Sequence, residues 1–399
     1  MNKKWPECVL GDVITLKRGY DLPRRERVLG SYPIVSSSGV SGFHNEAKVK
    51  APGVVTGRYG TIGEVFYIKQ DFWPLNTSLY VQDFKGNDKR FISYFLKTLH
   101  LESQNVAGAV PGVNRNHLHK LKLRCPPLPI QKKIAAILSA YDDLIENNNR
   151  RIALLEQMAE EIYREWFVRM RFPGYEQATF HQGVPEGWEV VKLGDVIIDI
   201  IDYRGVTPKK LNSNWENDGI IALSALNVKR GRLIQLEKAK KVSEFLFQKW
   251  MKKRLQRLDI LLTSEAPLGE LYILMEEEKY VLSQRLFAIR TNPQKVEPIY
   301  LYFYLMCEVG QHALASKATG ATVSGIRQKL LRKVEVLKPK NRWQKKFGEI
   351  AEPCLMKAHI LWRENNLLKQ TRDRLLSRLI SGKLSVEELD IEFPPSMIY

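Results

Sequence analysis

The sequence predicts an α+β protein: two α/β-mixed globular domains, related by internal duplication and pseudo-twofold symmetry and separated by two long antiparallel coiled-coil helices. Three observations predict it. Short motifs recur in one order along the chain. Two long stretches place apolar residues at heptad spacing. The segments between them are short β-branched runs broken by Gly, Pro, Asn and Ser.

The repeat comes first. Leu10-Gly11-Asp12-Val13-Ile14 returns as Leu193-Gly194-Asp195-Val196-Ile197, and Trp5 and Trp188 stand five positions ahead of the two copies. Ile62-Gly63-Glu64 returns as Leu268-Gly269-Glu270, and Gln131-Lys132-Lys133 as Gln344-Lys345-Lys346. The offsets are 183, then 206, then 213, and they only grow. One unit copied twice gives that pattern, with insertions in the second globular part. Past Gln131 the offset stays at 213, so the helices are ungapped copies. The implied segments are 1–129 (first domain), 130–172 (first spacer helix), 173–342 (second domain), 343–386 (second spacer helix) and 387–399 (tail).

The seam of the first helix reads Ile134, Tyr141, Asn148, Leu155 and Ile162; that of the second reads Phe347, Cys354, Leu361, Leu368 and Leu375. Seven-residue spacing is the mark of a coiled coil. Asn148 on this seam either fixes register or marks a local irregularity with water access. Pro353 should kink the second helix or mark a late start. About 40 helical residues span roughly 60 Å, enough to hold two domains at least one turn of DNA apart.

In the first domain strands are expected at Val54-Val55, Val65 to Ile68 and Leu79 to Val81. In the second they are expected at Ile220 to Leu223, Ile260 to Leu262, Leu271 to Leu274 and Phe287 to Ile289. Short helices fall near 90–101 and 298–315.

The net charge of +18 is concentrated: +9 in residues 1–129 and +8 in 173–342, with the helical segments near neutral. Two basic bodies suit a long polyanion. Loops on such bodies mix the groups that bind nucleic acid. In the first domain the candidates are Ser36, Ser37, Arg58, Tyr59, Thr61, Asn76, Thr77, Asn114 and Arg115. In the second they are Tyr203, Arg204, Thr207, Lys209, Asn227, Ser264, Gln284, Arg285 and Arg327. Arg can pair with guanine and Asn or Gln with adenine through two bonds to one base edge; Ser, Thr and Lys suit phosphates. Solvated turns share this composition.

No sequence motif announces a reaction. Gly57 to Gly63 is not GxGxxG; there is no GxxxxGK[ST], no HExxH and no Asn/Asp-Pro-Pro-aromatic set. The seven His and four Cys show no metal spacing, so no metal site, disulfide framework or catalytic residue is expected, and scattered Cys fit a reducing cytoplasm. No apolar run reaches the length of a membrane span, and the N-terminus lacks a secretory pattern. The expected location is cytoplasmic. Any reaction is expected to belong to a partner.

The whole chain resembles the specificity (S) subunits of Type I restriction-modification systems. The resemblance rests on Pro126-Pro127-Leu128-Pro129-Ile130-Gln131-Lys132-Lys133-Ile134-Ala135, Trp166-Phe167-Val168-Arg169 and Pro185-Glu186-Gly187-Trp188-Glu189. It extends to Leu262-Thr263-Ser264-Glu265-Ala266-Pro267-Leu268-Gly269, Leu282-Ser283-Gln284-Arg285-Leu286 and Leu379-Ile380-Ser381-Gly382-Lys383-Leu384. It implies two target recognition domains, each reading half of an asymmetric, interrupted double-stranded DNA site. It implies two docked methyltransferase (M) subunits, which carry S-adenosylmethionine and methylate adenine, and two restriction (R) subunits, which use ATP and Mg2+. The chain itself would hold no cofactor. A competing reading is a duplicated DNA-binding scaffold or regulator outside restriction-modification. One departure stands out: Lys338-Pro339-Lys340-Asn341-Arg342-Trp343-Gln344 replaces the Pro-Pro-Leu-Pro-Ile-Gln form and leaves the start of the second helix, and a partner contact there, open.

Overall fold

The computed structural model describes residues 5–104, 112–320, 324–394 and 397. The chain forms two compact units, Met1–Asn148 with Arg363–Tyr399, and Asn149–Trp362. Two long helices, Leu128–Tyr163 and Asn341–Ile380, each contribute one half to each unit.

In the first unit a four-stranded antiparallel sheet has the order Thr15–Arg18, Ser78–Asp83, Gly53–Gly57, Val65–Ile68. A three-stranded sheet places Tyr32–Ser36 antiparallel to Gly39–His44 and parallel to Trp73–Pro74. The helix Lys89–Lys97 covers the larger sheet. Phe91, Ile92 and Phe95 from it join Leu10, Ile14, Leu16 and Val54 in one core with Ile134, Leu138, Leu379 and Ile380 of the long helices.

The second unit repeats the plan. Its four strands run Ile197–Asp202, Leu286–Thr291, Ile260–Thr263, Leu271–Ile273. Ile220–Leu223 lies antiparallel to Lys241–Val242 and parallel to Val281–Leu282. Pro298–Met306 is the equivalent helix, and its Tyr300 and Phe303 pack with Tyr163, Phe167 and Phe347. The repeated strand order makes the duplication structural as well as textual.

The repeated motifs sit at joints. Leu10 and Leu193 are both fully buried, and their backbone N–H groups donate to Leu121 O at 2.9 Å and Val334 O at 2.7 Å. The next residue is Gly each time because a Cβ there would meet the carbonyl oxygen of His119 at 3.1 Å or of Arg332 at 3.0 Å. The Gln of Gln-Lys-Lys is a clasp. Gln131 Oε1 accepts from Asp88 N at 2.9 Å, and its Nε2 donates to Pro126 O at 2.9 Å. Gln344 Oε1 accepts from Glu297 N at 3.0 Å, and its Nε2 donates to Pro339 O at 2.6 Å. Asp88 and Glu297 are the N-caps of the two domain helices. One amide thus ties the domain helix to the start of the long helix in each unit. The altered lead-in to the second helix leaves this joint unchanged.

The long helices pack antiparallel within each unit. In the first, Arg372 donates to Asp142 at 2.5 Å, and Asn148 Nδ2 donates to Asn365 Oδ1 at 3.1 Å. In the second, Ile152 packs with Ala358 and Leu361, and Trp166 meets Trp343. Ile134, Asn148, Phe347 and Leu361 are buried, whereas Tyr141, Leu155, Ile162, Cys354, Leu368 and Leu375 are half-buried. Asn148 is 1% exposed and Asn365 3%, so the polar pair is shut from water and is no open irregularity. Of the two outcomes expected at Pro353, a kink or a late start, the late start does not occur: the helix runs from Asn341 through Pro353, which lies on the exposed face. At the other end, the first helix closes in a π turn, Arg164–Val168.

Applying the 213-residue offset, Asn148 corresponds to Leu361 and Asn365 to Ile152. One unit therefore seals its helix pair with a hydrogen bond where the other uses apolar packing. Asn148→Leu alone should cost about 1–3 kcal/mol, because it leaves the Asn365 amide facing a methyl group. Asn148→Leu with Asn365→Ile should recover most of that loss. Urea unfolding of the three variants checks this; additive losses would refute the pairing. Gln344→Ala should cost about 2–4 kcal/mol by stranding a buried N–H and a buried carbonyl, and an unchanged unfolding midpoint would rule out the clasp.

Candidate nucleic-acid interface

The loops that leave the central strands form one frame, built twice. In the first domain Gly57 N donates to Glu64 O, Arg58 N to Thr77 O, and Val113 N to Arg58 O. In the second, Thr263 N donates to Glu270 O, Ser264 N to Arg285 O, and Ile326 N to Ser264 O. Isolated bridges join Tyr59 to Gly112 and Glu265 to Gly325, again 213 apart at the glycine. The two connecting loops have equal length. Gly60 and Ala266 both take positive φ, 77° and 51°, and Gly63 and Gly269 share φ 93°. The last pair must be glycine: a Cβ would stand 2.5 Å from Glu102 Oε2 or 2.4 Å from Gln311 Oε1.

This frame brings Arg58, Tyr59, Thr61, Thr77 and the Asn114-Arg115 segment together in the first domain. Arg58 lies over the Tyr59 ring, 4.5 Å from its centroid, with Tyr59 37% exposed. Asn114 caps the short helix Arg115–His119 by accepting from Asn116 N at 2.9 Å, and Arg115 is exposed. His119 accepts from Leu16 N at 2.9 Å; burial, with Arg115 and Lys85 nearby, holds its pKa below the usual imidazole value and keeps it a neutral acceptor. Asn76 sits beside the frame and donates to Asp21. Ser36 and Ser37 are half-buried at the turn between two strands, where Ser36 Oγ donates to Gly39 O at 3.0 Å.

In the second domain the equivalent positions hold Ser264, Glu265 and Arg285, with Gln284 and Arg327 exposed nearby. Two candidates are buried. Ser264 is 1% exposed, because its position is the buried strand end of the frame. Asn227 is 4% exposed and closes its own turn: its Oδ1 accepts from Ser224 N at 3.0 Å, and its Nδ2 donates to Ile234 O at 3.2 Å. Three others are engaged inside the fold. Arg204 makes two bonds of 2.9 Å to Asp202 and lies 3.9 Å from the Phe287 centroid. Tyr203 Oη accepts from Lys253 N, and Thr207 caps the turn Pro208–Leu211. Lys209 is exposed on that turn. Glu265, in the same loop, falls on Tyr59 when residues 57–64 are laid over 263–270 without a gap.

Among the described residues, one cluster has metal-ligand chemistry. Glu276, Glu278 and His359 hold their ligand atoms within 4.8 Å of one another. His359 Nε2 lies 3.7 Å from each carboxylate, and its Nδ1 is 3.3 Å from Tyr272 Oη. Its place is the packing of the connection between Leu271–Ile273 and Val281–Leu282 on the second long helix. No helix is long and apolar enough to cross a membrane among the described residues.

Comparison with known proteins gives one answer. The family model for the Type I restriction modification DNA specificity domain matches residues 2–157 and 185–370, once per copy of the repeat. The MjaVIII specificity subunit of a Type I restriction enzyme from Methanocaldococcus jannaschii is 26% identical over 339 residues, covering 82% of this chain and 78% of the relative. The HindI specificity subunit of Haemophilus influenzae is 22% identical over 346 residues, covering 71% and 73%. The crystal structure of a Type I restriction-modification S subunit from M. genitalium shares the fold, with a TM-score of 0.64 at 15% identity over 95% of this chain and 97% of that one. With its duplicated plan, paired long helices and two loop frames on basic domains, the chain belongs to the Type I restriction modification DNA specificity domain family.

Proposed function

We propose that this chain is the non-catalytic targeting subunit of a Type I restriction-modification complex. The first domain (residues 1–129) reads one half of an interrupted double-stranded DNA site and the second (173–342) reads the other. Two M subunits, carrying S-adenosylmethionine, dock on it and methylate adenine; R subunits add ATP- and Mg2+-dependent cleavage. The observation that carries this reading is the loop frame built twice with different outward side chains. A constant backbone holds two sets of readers, so the two half-sites differ. Basic charge on both domains supplies the phosphate attraction.

The helices favour two copies of one partner. Leu154 and Leu367 occupy equivalent positions 213 apart and are 60% and 65% exposed. Met158, one turn from Leu154, is 54% exposed. A leucine left outward at the same place in both copies fits a repeated docking contact.

Co-expression with the cognate adenine methyltransferase, followed by genome-wide mapping of N6-methyladenine, tests the reading. An asymmetric bipartite motif that vanishes without this chain is expected; no new methylation despite a formed complex would refute it. In the same assay Arg58→Ala should relax only the half-site read by the first domain, while equal loss at both would displace Arg58 from the interface. Leu154→Asp with Leu367→Asp should abolish co-purification of the methyltransferase while leaving the melting temperature within a few degrees. Undiminished co-purification would place the docking surface elsewhere.

A further inference from the structure

We propose that Arg285 selects a guanine in the half-site of the second domain, and that Glu265 is the residue that positions it. This rests on the reading above and assigns one specificity element within it. Glu265 and Arg285 occupy the frame positions that hold Tyr59 and Thr77 in the first domain. Equivalence is fixed by backbone bonds: Ser264 N to Arg285 O matches Arg58 N to Thr77 O, and the Glu265–Gly325 bridge matches Tyr59–Gly112. The scaffold is thus the same, and what it presents has changed from a cation over a ring to an ion pair.

The pair is built to present a fork. Arg285 Nε lies 3.1 Å from Glu265 Oε1, with the side chains 55% and 40% exposed. The closest approach of the carboxylate is at Nε, so the ion pair does not require the terminal Nη1–Nη2 edge. That edge matches O6 and N7 of guanine, a two-bond contact that no other base edge offers to Arg. Arg285 itself has φ 60°, a backbone conformation uncommon for a residue with a side chain, and its carbonyl is tied to Ser264. A guanidinium held at one side by a carboxylate, on a backbone pinned at the same residue, loses little freedom on binding.

The experiment uses the complete complex with its methyltransferase, and maps methylation motifs for wild type, Arg285→Ala, Arg285→Lys, Glu265→Gln and Glu265→Ala. Arg285→Ala should make one G·C position of the second half-site degenerate, a loss of roughly 5- to 150-fold in preference, and leave the first half-site intact as the internal control for folding. Arg285→Lys should relax the same position, since an ammonium makes no two-bond fork. Glu265→Ala should relax that position without abolishing binding, and Glu265→Gln should restore part of the preference. Duplex DNA with 7-deazaguanine at that position should bind wild type more weakly and bind Arg285→Ala unchanged. Unaltered motifs in all four variants, or 7-deazaguanine binding wild type as well as guanine does, would overturn the assignment. Failure of the broader reading shows differently: wild type itself would then give no bipartite motif, and the assignment falls with it.

Discussion

A buried glutamine holds each domain to its helix, and the rest of the molecule is organised around that joint. Gln131 and Gln344 are 1% and 0% exposed. A primary amide out of water is costly unless both its ends are bonded. Each of these amides meets that demand by accepting from the cap of the domain helix and donating to the carbonyl five residues upstream. The partners common to both joints are backbone groups; Gln131 Nε2 also donates to Asn87 Oδ1 at 2.6 Å and meets Cys125 Sγ at 3.5 Å. The shared part of the clasp specifies Gln and does not use the side chains of the five residues ahead of it. Pro126-Pro127-Leu128-Pro129-Ile130 could drift to Pro339-Lys340-Asn341-Arg342-Trp343 while the joint stayed the same.

The helix pair follows a second constraint, the difference between two packings of one seam. Heptad spacing shows which face of a helix is apolar; it does not show which residue faces which. Asn148 bonds to Asn365, whereas the duplicated positions bring Ile152 against Leu361. Sliding either helix by a turn would set an amide against Ile or Leu and leave it unbonded. The polar pair thus favours one register at some cost in stability, and the aliphatic pair supplies burial without that selectivity. A duplicated chain can afford this division because its two seams are free to diverge.

Much of the architecture was legible in the residues because it rests on periodicity and repetition. Val65–Ile68 and Ile220–Leu223 are strands at the limits that their β-branched runs mark. The antiparallel helices and the duplication follow from spacing. Loop chemistry was less legible, for a physical reason. An Asn that closes its own turn and an Asn that faces a base have the same neighbours in sequence. Asn227 is of the first kind, and only its bonds to Ser224 and Ile234 reveal it. Ser264 is buried as well, and a strand end and a loop start share hydroxyl residues, so sequence does not separate the two. Pro353 was tolerated in mid-helix: a proline costs one backbone bond and a clash with the preceding turn, and on the exposed face water can take up the freed carbonyl.

The loop frame explains why sequence drift and structural constancy coexist in the two domains. Its holding bonds run between backbone groups, so nearly every side chain on it can change. The exceptions are positions where the backbone itself is demanding. Gly63 and Gly269 share φ 93° and have a side-chain oxygen within 2.5 Å of where a Cβ would stand. Arg58 over Tyr59 and Glu265 beside Arg285 are then two solutions to one problem, how to hold a guanidinium still at a protein surface. The aromatic face does so without opposing the positive charge, through its quadrupole. The carboxylate does so by neutralising it, which reduces the pull on phosphate and raises the dependence on a geometric match. Domains proposed to bind the same polyanion can differ in this way because attraction is set by the sum of charge over the surface, while discrimination is set by a few fixed side chains.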